Sequence, residues 1–223
     1  MKRISIFCAI LFFMVGCNTQ KDKQSNNDDH IPDSLVEVQA LLDSVHAEDH
    51  KYRNGLGSLI EEHGWNSEEV QSQFKKMSET DSSNLILVEG ILAKHGWLGG
   101  SSSSTLFLVI QHADQATQEK YLPVMRQAVN EGKAKAQSLA LLEDRILLGR
   151  GEMQIYGSQI LTDSSGNSYV RPLIEPEKVN ERRAEVGLLP IEEYVSQWGI
   201  EWDVEAYKKQ LPKRLEELKA QIK

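Results

Sequence analysis

A histidine and an aspartate two residues apart form the first candidate for chemistry. The segment Gln111-His112-Ala113-Asp114 closes an apolar run at residues 106–110. A neutral imidazole near a carboxylate can act as an oriented general base or as part of a metal site. Metal sites usually need three or four protein ligands, and no second close His/Asp spacing follows, so we expect no metal and no cofactor. Alternatively, the segment is the polar end of a core element, and Asp114 caps the next helix.

An adjacent acid and base, Asp144 and Arg145, interrupt an otherwise apolar helix at residues 136–148. A helix that is apolar on all sides is buried, and an unpaired buried charge is costly. Neighbours on a helix pair poorly with each other, so each charge needs a partner elsewhere. The candidate partners are Arg182 and Arg183 for Asp144, and Asp49 and Asp114 for Arg145. Two interpretations stay open: an ionic network that fixes helix register, or a polar pocket.

A third polar group belongs to the first strand of a predicted hairpin. In an extended chain Gln154, Tyr156 and Ser158 share one face, and Gln159 lies on the other. A face of amide, phenol and hydroxyl groups could bind a polar ligand such as a sugar or a peptide. It could equally be a solvated outer face.

Helical periodicity dominates the elements that must position these groups. Helices are expected at residues 34–63, 66–77, from about 81 onward, 106–110, 117–131, 136–148, 176–187, 190–197 and 203–223. Residues 98–104 are expected to form a Gly/Ser loop. Residues 153–162 and 168–174 flank a turn-rich pentapeptide, which predicts a β-hairpin. The fold class is therefore mainly α with one β-hairpin (α+β).

The tripeptide His-Gly-Trp occurs twice, at residues 63–65 and 95–97. We interpret both copies as helix stops, in which the glycine adopts the left-handed conformation after the last helical residue. Trp65 would then pack on Ile60, and Trp97 on Leu92.

The N-terminus has the pattern of a lipoprotein signal. Lys2 precedes an apolar run at residues 4–15, and Cys17 closes a lipobox that begins at Met14. The run is shorter than the roughly 20 residues of a membrane-spanning helix and is typical of a signal peptide. We expect cleavage before Cys17 and lipidation of its thiol, although an ordinary secretory signal remains the alternative. Because Asn18 is not a strong inner-membrane retention residue, an outer-membrane position in a bacterial cell envelope is favoured.

This interpretation divides the chain into a leader and one compact helical domain. The expected parts are a signal peptide at residues 1–16, a lipidated cysteine and flexible tether at 17–31, a mainly helical domain at 32–200 with its hairpin near 153–174, and a C-terminal helix at 201–223 that packs on or extends from the domain.

Charge and cysteine content exclude several functions. The formal net charge is −8, and loss of the basic leader makes the remainder more negative. Nucleic-acid binding needs clustered basic residues, so it is not expected, and the lipid rather than the protein surface is expected to hold the membrane. The two cysteines are Cys8 and Cys17. With Cys8 removed and Cys17 acylated, disulfides, a thiol nucleophile and thiolate metal sites are excluded.

The order of the polar blocks resembles the bacterial domain of unknown function 6624 over residues 49–194. The matching blocks are Asp49 with Arg53, His95-Gly96-Trp97, Gln111-His112-Ala113-Asp114, Asp144-Arg145, residues 154–159, and Arg182-Arg183 through Gly187-Leu188 to Pro190. This chain departs from the family pattern at Leu98, Ser158 and His50. The resemblance implies no particular reaction.

Three functions follow from these residues. The first is a polar pocket that binds a small polar or anionic ligand or a partner segment, with Arg53 and Arg145 clamping an anion. Its expected lining is Asp49, Arg53, His112, Asp144, Arg145, Gln154, Tyr156 and Gln159. Gln111, Asp114, Arg182 and Arg183 are further candidates.

The second function is a hydrolase with His112 as base, Asp114 or Asp144 orienting it, and Arg145 stabilising negative charge. The third is an interaction protein in which the polar blocks are structural.

Overall fold

Three helices from the first half of the chain form the frame of the fold. In a computed structural model that describes residues 31–163 and 166–221, these are α1 (Leu35–Lys51), α3 (Glu68–His95) and α4 (Ser101–His112). Helix α1 runs parallel to α4, because Gln39 contacts Ser102 near their first turns and Asp49 contacts His112 near their last. Helix α3 runs antiparallel to both.

The helices in this frame differ from the prediction at two points. The expected helix at 34–63 is two helices, α1 and α2 (Leu56–His63), because Gly55 turns the chain with φ 80°. Conversely, α3 continues for 28 residues through the polar stretch that was expected to separate two helices. Ser82 and Ser83 lie on its exposed side, where their hydroxyls donate to the carbonyls of Ser78 and Glu79 within the continuous helix.

Helices α5 (Gln115–Asn130) and α6 (Ala136–Gly149) complete the main core. Its buried side chains include Leu42, Ile91, Leu106, Met125 and Leu142. Helix α4 begins at Ser101, inside the expected Gly/Ser loop, and its apolar run is buried helix as predicted.

A second core holds the C-terminal part of the described chain. Strands β1 (Ile160–Thr162) and β2 (Ser168–Val170) pair antiparallel, with Ile160 opposite Val170. They are followed by a 3₁₀ turn (Pro176–Lys178), α7 (Val179–Glu185), α8 (Ile191–Ser196) and α9 (Val204–Ala220).

The last helix is tied to the hairpin through Tyr207. Its hydroxyl donates to the carbonyl of Arg171 at 3.0 Å and accepts from the N–H of Leu173 at 2.7 Å. Helix α9 therefore packs on the domain within the described residues.

Both His-Gly-Trp copies end helices, as interpreted from the sequence. Gly64 has φ 84° and Gly96 has φ 68°, and each N–H donates to the carbonyl four residues earlier. Trp97 is buried in the main core with Leu92. Trp65 is 39% exposed and lies against Phe74, and its packing on Ile60 stays a prediction.

The predicted fold class, mainly α with one β-hairpin, is confirmed. Among the described residues, no helix is both long and apolar enough to cross a membrane. The expected signal peptide, Cys17 and most of the tether lie outside the described residues.

Candidate functional site

The strongest candidate site is a buried carboxylate bonded to a partly exposed histidine. Asp49 lies near the end of α1 and His112 is the last residue of α4, so the parallel helices bring the two together. His112 Nδ1 is 2.9 Å from Asp49 Oδ1, and the two side chains are 16% and 1% exposed. Because a carboxylate oxygen can only accept, Nδ1 is the donor in this bond, and in the neutral form of the ring Nε2 then carries a lone pair. In the part of the chain that the structure describes, Nε2 has no hydrogen-bond partner.

Arg53 connects this pair to a second carboxylate. It lies one turn after Asp49, and its Nη1 is 2.8 Å from the Asp49 carbonyl and 3.1 Å from Oδ1. Its Nη2 donates to both oxygens of Asp81 at 2.7 Å. We call Asp49, Arg53, Asp81 and His112 the histidine–carboxylate cluster.

One carboxylate oxygen of the buried Asp49 accepts no hydrogen bond from the described residues. Among the described residues, Asp49 Oδ2 is buried and has no hydrogen-bond partner. The imidazole of His50 lies 3.9 Å from it through Nδ1, but that nitrogen is already bonded to the carbonyl of His46 at 3.0 Å. A buried, uncompensated carboxylate oxygen is unfavourable, so this atom favours a cationic or hydrogen-bond-donating ligand.

The net charge of the cluster also favours a cationic or hydrogen-bond-donating ligand. Two carboxylates face one guanidinium, so the cluster has one excess negative charge when His112 is neutral. The C-terminal ends of α1 and α4 both lie here, and helix C-termini carry partial negative charge. Because Arg53 is already paired with two carboxylates, it is poorly placed for the anion clamp expected from the sequence.

The aspartate in the apolar helix, Asp144, performs a different task. Its side chain is fully buried and accepts from the backbone N–H groups of Ile155 at 2.7 Å, Tyr156 at 3.0 Å and Ser158 at 2.9 Å. Burial raises the pKa of the Asp144 carboxyl, and these N–H groups oppose that shift. Asp144 therefore holds the segment at residues 154–159 from one side.

The two arginines expected to pair with Asp144 hold the same segment from its carbonyl side. Arg182 Nε donates to the carbonyl of Ile155 at 2.8 Å. Arg183, 1% exposed, donates through Nη1 to the carbonyl of Tyr156 at 2.6 Å and lies over the ring of Tyr194. The expected ion pair between Asp144 and one of these arginines is therefore wrong. Instead, Asp144 and both arginines bind the backbone of the same segment.

Tyr194 also contacts the segment at residues 154–159. Its hydroxyl donates to the Ser158 carbonyl at 2.8 Å. Burial raises the pKa of this phenol, and Arg183, Asp144 and Arg145 all contribute to its electrostatic surroundings. Arg145 is partly buried on α6, next to Asp144.

Gln154 fastens the segment internally. It is fully buried, its Nε2 donates to the carbonyls of Gln159 at 3.1 Å and Arg171 at 2.9 Å, and its Oε1 accepts from the Gln159 N–H at 2.9 Å. The predicted strand face of Gln154, Tyr156 and Ser158 is therefore wrong, because β1 begins only at Ile160. The chain turns at Gly157, which has φ 67°.

The remaining candidates have local roles. Asp114 caps α5, where its Oδ1 accepts from the Thr117 N–H at 2.7 Å, and this bond lowers the pKa of the Asp114 carboxyl. The carbonyl of Gln111 accepts from Gln118 Nε2 at 3.1 Å.

The hydrogen bonds and ion pairs thus divide the predicted pocket residues into two groups. The histidine–carboxylate cluster takes Asp49, Arg53 and His112. The second group takes Asp144, Gln154, Tyr156, Gln159, Arg182 and Arg183, and Arg145 lies next to Asp144 on α6.

Asp81 is the cluster residue that the sequence analysis missed. It lies within a run of polar residues on α3 and has no distinctive spacing. Only the antiparallel packing of α3 on α1 brings it to Arg53. No pattern in the sequence near Asp81 could therefore have identified it as a site residue.

The fold and these two groups define a mainly helical domain that carries a histidine–carboxylate cluster and a braced hairpin. The chain belongs to the family of unknown function DUF6624, which matches residues 37–205. No curated protein and no solved structure is significantly similar to it. The matched range covers both groups.

Proposed function

We propose that this chain is a bacterial cell-envelope lipoprotein whose helical domain binds a small polar ligand at the histidine–carboxylate cluster. The observation that carries the proposal is the Asp49–His112 bond. It fixes the ring of a partly exposed histidine while Nε2 keeps a lone pair for a ligand. Functional side chains are typically held in place by such buried hydrogen-bond partners.

The chemistry of the cluster narrows the ligand class. The excess negative charge and the unbonded Asp49 Oδ2 favour ligands with hydroxyl or amine groups over carboxylates and phosphates. The anionic ligand considered from the sequence is therefore the less favoured form of this proposal.

A binding screen on the full-length chain in detergent tests the proposal. Monosaccharides, amino acids, dipeptides and polyamines are added in the presence of EDTA, and the melting temperature is recorded. We expect a hit from the hydroxyl- or amine-bearing probes that is lost in His112→Ala and kept in His63→Ala, a control at the end of α2. A hit that survives His112→Ala, or no hit from any probe class, contradicts the proposal.

A hydrolase that uses His112 as general base is the second candidate function, and the Asp49–His112 bond favours it. A carboxylate that orients a histidine is a recurrent arrangement in acid–base catalysis. In this version Asp49 takes the orienting role that the sequence analysis considered for Asp114 and Asp144. Turnover of ester, phosphodiester or peptide substrates that disappears in His112→Ala would support it. Turnover unchanged in that variant would exclude His112 as the base.

The lipid anchor and the envelope location are supported by the lipobox and the apolar leader in the sequence. We propose the outer membrane as the location, with membrane contact made through the lipid on Cys17. We propose no nucleic-acid partner, because the net charge is negative and binding to phosphates needs clustered basic residues.

A further inference from the structure

We propose that Asp49, Asp81 and His112 bind one divalent transition-metal cation of the Zn²⁺ class. The inference rests on the proposed function, because it places a metal ion in the same ligand site. One ligand atom from each residue lies within 4.8 Å of the other two. In a tetrahedral site with bonds of roughly 2.0–2.2 Å, ligand atoms are about 3.5 Å apart. The widest separation in the set therefore needs to close by no more than about 1 Å.

The unbonded oxygen of Asp49 is an independent argument for a cation site. Asp49 is 1% exposed, and among the described residues its Oδ2 accepts no hydrogen bond. Buried charges in proteins are paired or coordinate metals, and the contacts of Asp49 with Arg53 and His112 both reach Oδ1 rather than Oδ2. A cation bound to the Asp49 carboxylate would compensate this oxygen without any change of fold.

Arg53 occupies the position of a cation in the histidine–carboxylate cluster. Its guanidinium lies between the carboxylates of Asp49 and Asp81. The side chain is 20% exposed, so it has room to move outward. Metal and guanidinium therefore compete for the same two carboxylates, and removal of the Arg53 charge should strengthen metal binding.

The donor set identifies the class of ion. An imidazole nitrogen with two carboxylates suits Zn²⁺ and its neighbours in the transition series, whereas Mg²⁺ and Ca²⁺ prefer oxygen ligands. Three protein ligands leave a coordination position open, as in catalytic zinc sites. A metal ion bound at Nδ1 would displace the proton that Nδ1 donates to Asp49, and this proton would be released to solvent. The proposed polar ligand would then bind at Nε2 or at the open coordination position. His112 had no metal partner close in sequence because the two carboxylates come from α1 and α3.

Calorimetric titration of the chelator-stripped full-length chain in detergent with Zn²⁺ alone tests the proposal. We expect one ion per chain. His112→Ala and Asp81→Asn should each weaken binding by roughly 100-fold or more, since the loss of even an outer-shell partner costs about 10–100-fold. Arg53→Met should bind more tightly than wild type. Circular dichroism establishes that each variant is folded, and the partly exposed Asp81 serves as the ligand variant if His112→Ala is unstable.

The control is an alternative zinc site on the surface of α1. His46 and His50 are one turn apart with stacked rings at 4.3 Å, a spacing that can bind metal without the cluster. His46→Ala should leave the affinity unchanged. Binding that is lost in His46→Ala but kept in His112→Ala overturns the proposal, as does the absence of saturable binding. The organic-ligand screen contains EDTA, so it tests the ligand site without metal. A negative zinc titration therefore contradicts only the metal site, and a negative screen contradicts only the ligand site.

Discussion

Asp49 and His112 lie 63 positions apart in the sequence and 2.9 Å apart in the structure. The contact exists because α1 and α4 run parallel, and a buried carboxylate near the end of one helix meets the terminal histidine of the other. Arg53 and Asp81 extend the contact into a four-residue cluster. Asp144 lies in a separate group and holds a backbone segment. The two groups therefore predict opposite responses to mutation.

Asp144→Ala should destabilise the protein by about 3–5 kcal/mol, because it leaves several backbone N–H groups buried without acceptors. Chemical denaturation monitored by circular dichroism measures the change. Glu143→Ala is the matched control on the same helix. It loses a partly exposed ion pair with Arg126 and should cost about 1 kcal/mol or less. A soluble Asp144→Ala protein with an unchanged melting temperature would contradict the bracing role.

His112→Ala should cost no more than about 1 kcal/mol, because functional groups seldom optimise stability and Asp49 retains its contacts with Arg53. The free energy of unfolding in urea tests this directly. A loss as large as that of Asp144→Ala would assign His112 to the structural framework instead.

Asp49→Asn should change the protonation pattern of the His112 ring. Replacing the carboxylate removes the charged acceptor that favours a proton on Nδ1. Long-range ¹H–¹⁵N spectra of the imidazole at mildly alkaline pH report which nitrogen carries the proton. We expect the Nδ1–H form in the wild type and a shift toward Nε2–H in the variant. The same tautomer in both proteins would show that Asp49 does not set it.

Gly157→Ala should destabilise the hairpin segment by about 1–3 kcal/mol, through left-handed strain and overpacking together. Gly157 has φ 67°, and a Cβ there would lie 2.8 Å from Ile191 Cδ1. Gly64→Ala is the control, since Gly64 has φ 84° but no atom within 4 Å of its added Cβ. Thermal melts should show a larger loss for Gly157→Ala. Equal losses would mean that the Ile191 contact adds nothing.

Cys17→Ser should release the protein from the membrane fraction or leave it unprocessed, because the serine hydroxyl cannot receive the thioether-linked lipid. Fractionation with immunodetection distinguishes processed from unprocessed chain. A processed, membrane-bound Cys17→Ser protein would contradict the lipobox interpretation.

Local periodicity was sufficient for the fold class and for most helix positions. The apolar run before Gln111 and the capping role of Asp114 follow from nearby residues alone, and both occur as interpreted. Local patterns failed at residues 78–83, where polar side chains suggested a break but lie on the exposed side of a continuous helix.

The candidate site depends on tertiary packing that no local pattern encodes. Burial of Asp144 was predictable from its apolar helix, but its backbone partners depend on where the turn at Gly157 returns. Asp49 and His112 were both recognised as candidates, yet their pairing requires knowledge that α1 and α4 are parallel. Asp81 enters the cluster only through the antiparallel packing of α3 on α1.

The ¹⁵N spectrum of the His112 imidazole, recorded during titration with hydroxyl- and amine-bearing probes in EDTA, shows whether a ligand binds at this histidine. We expect at least one probe class to shift the Nε2 resonance of His112 saturably, and we expect this shift to be lost in Asp49→Asn. A probe that binds the protein while the His112 resonances stay unchanged would place the ligand site elsewhere in the molecule.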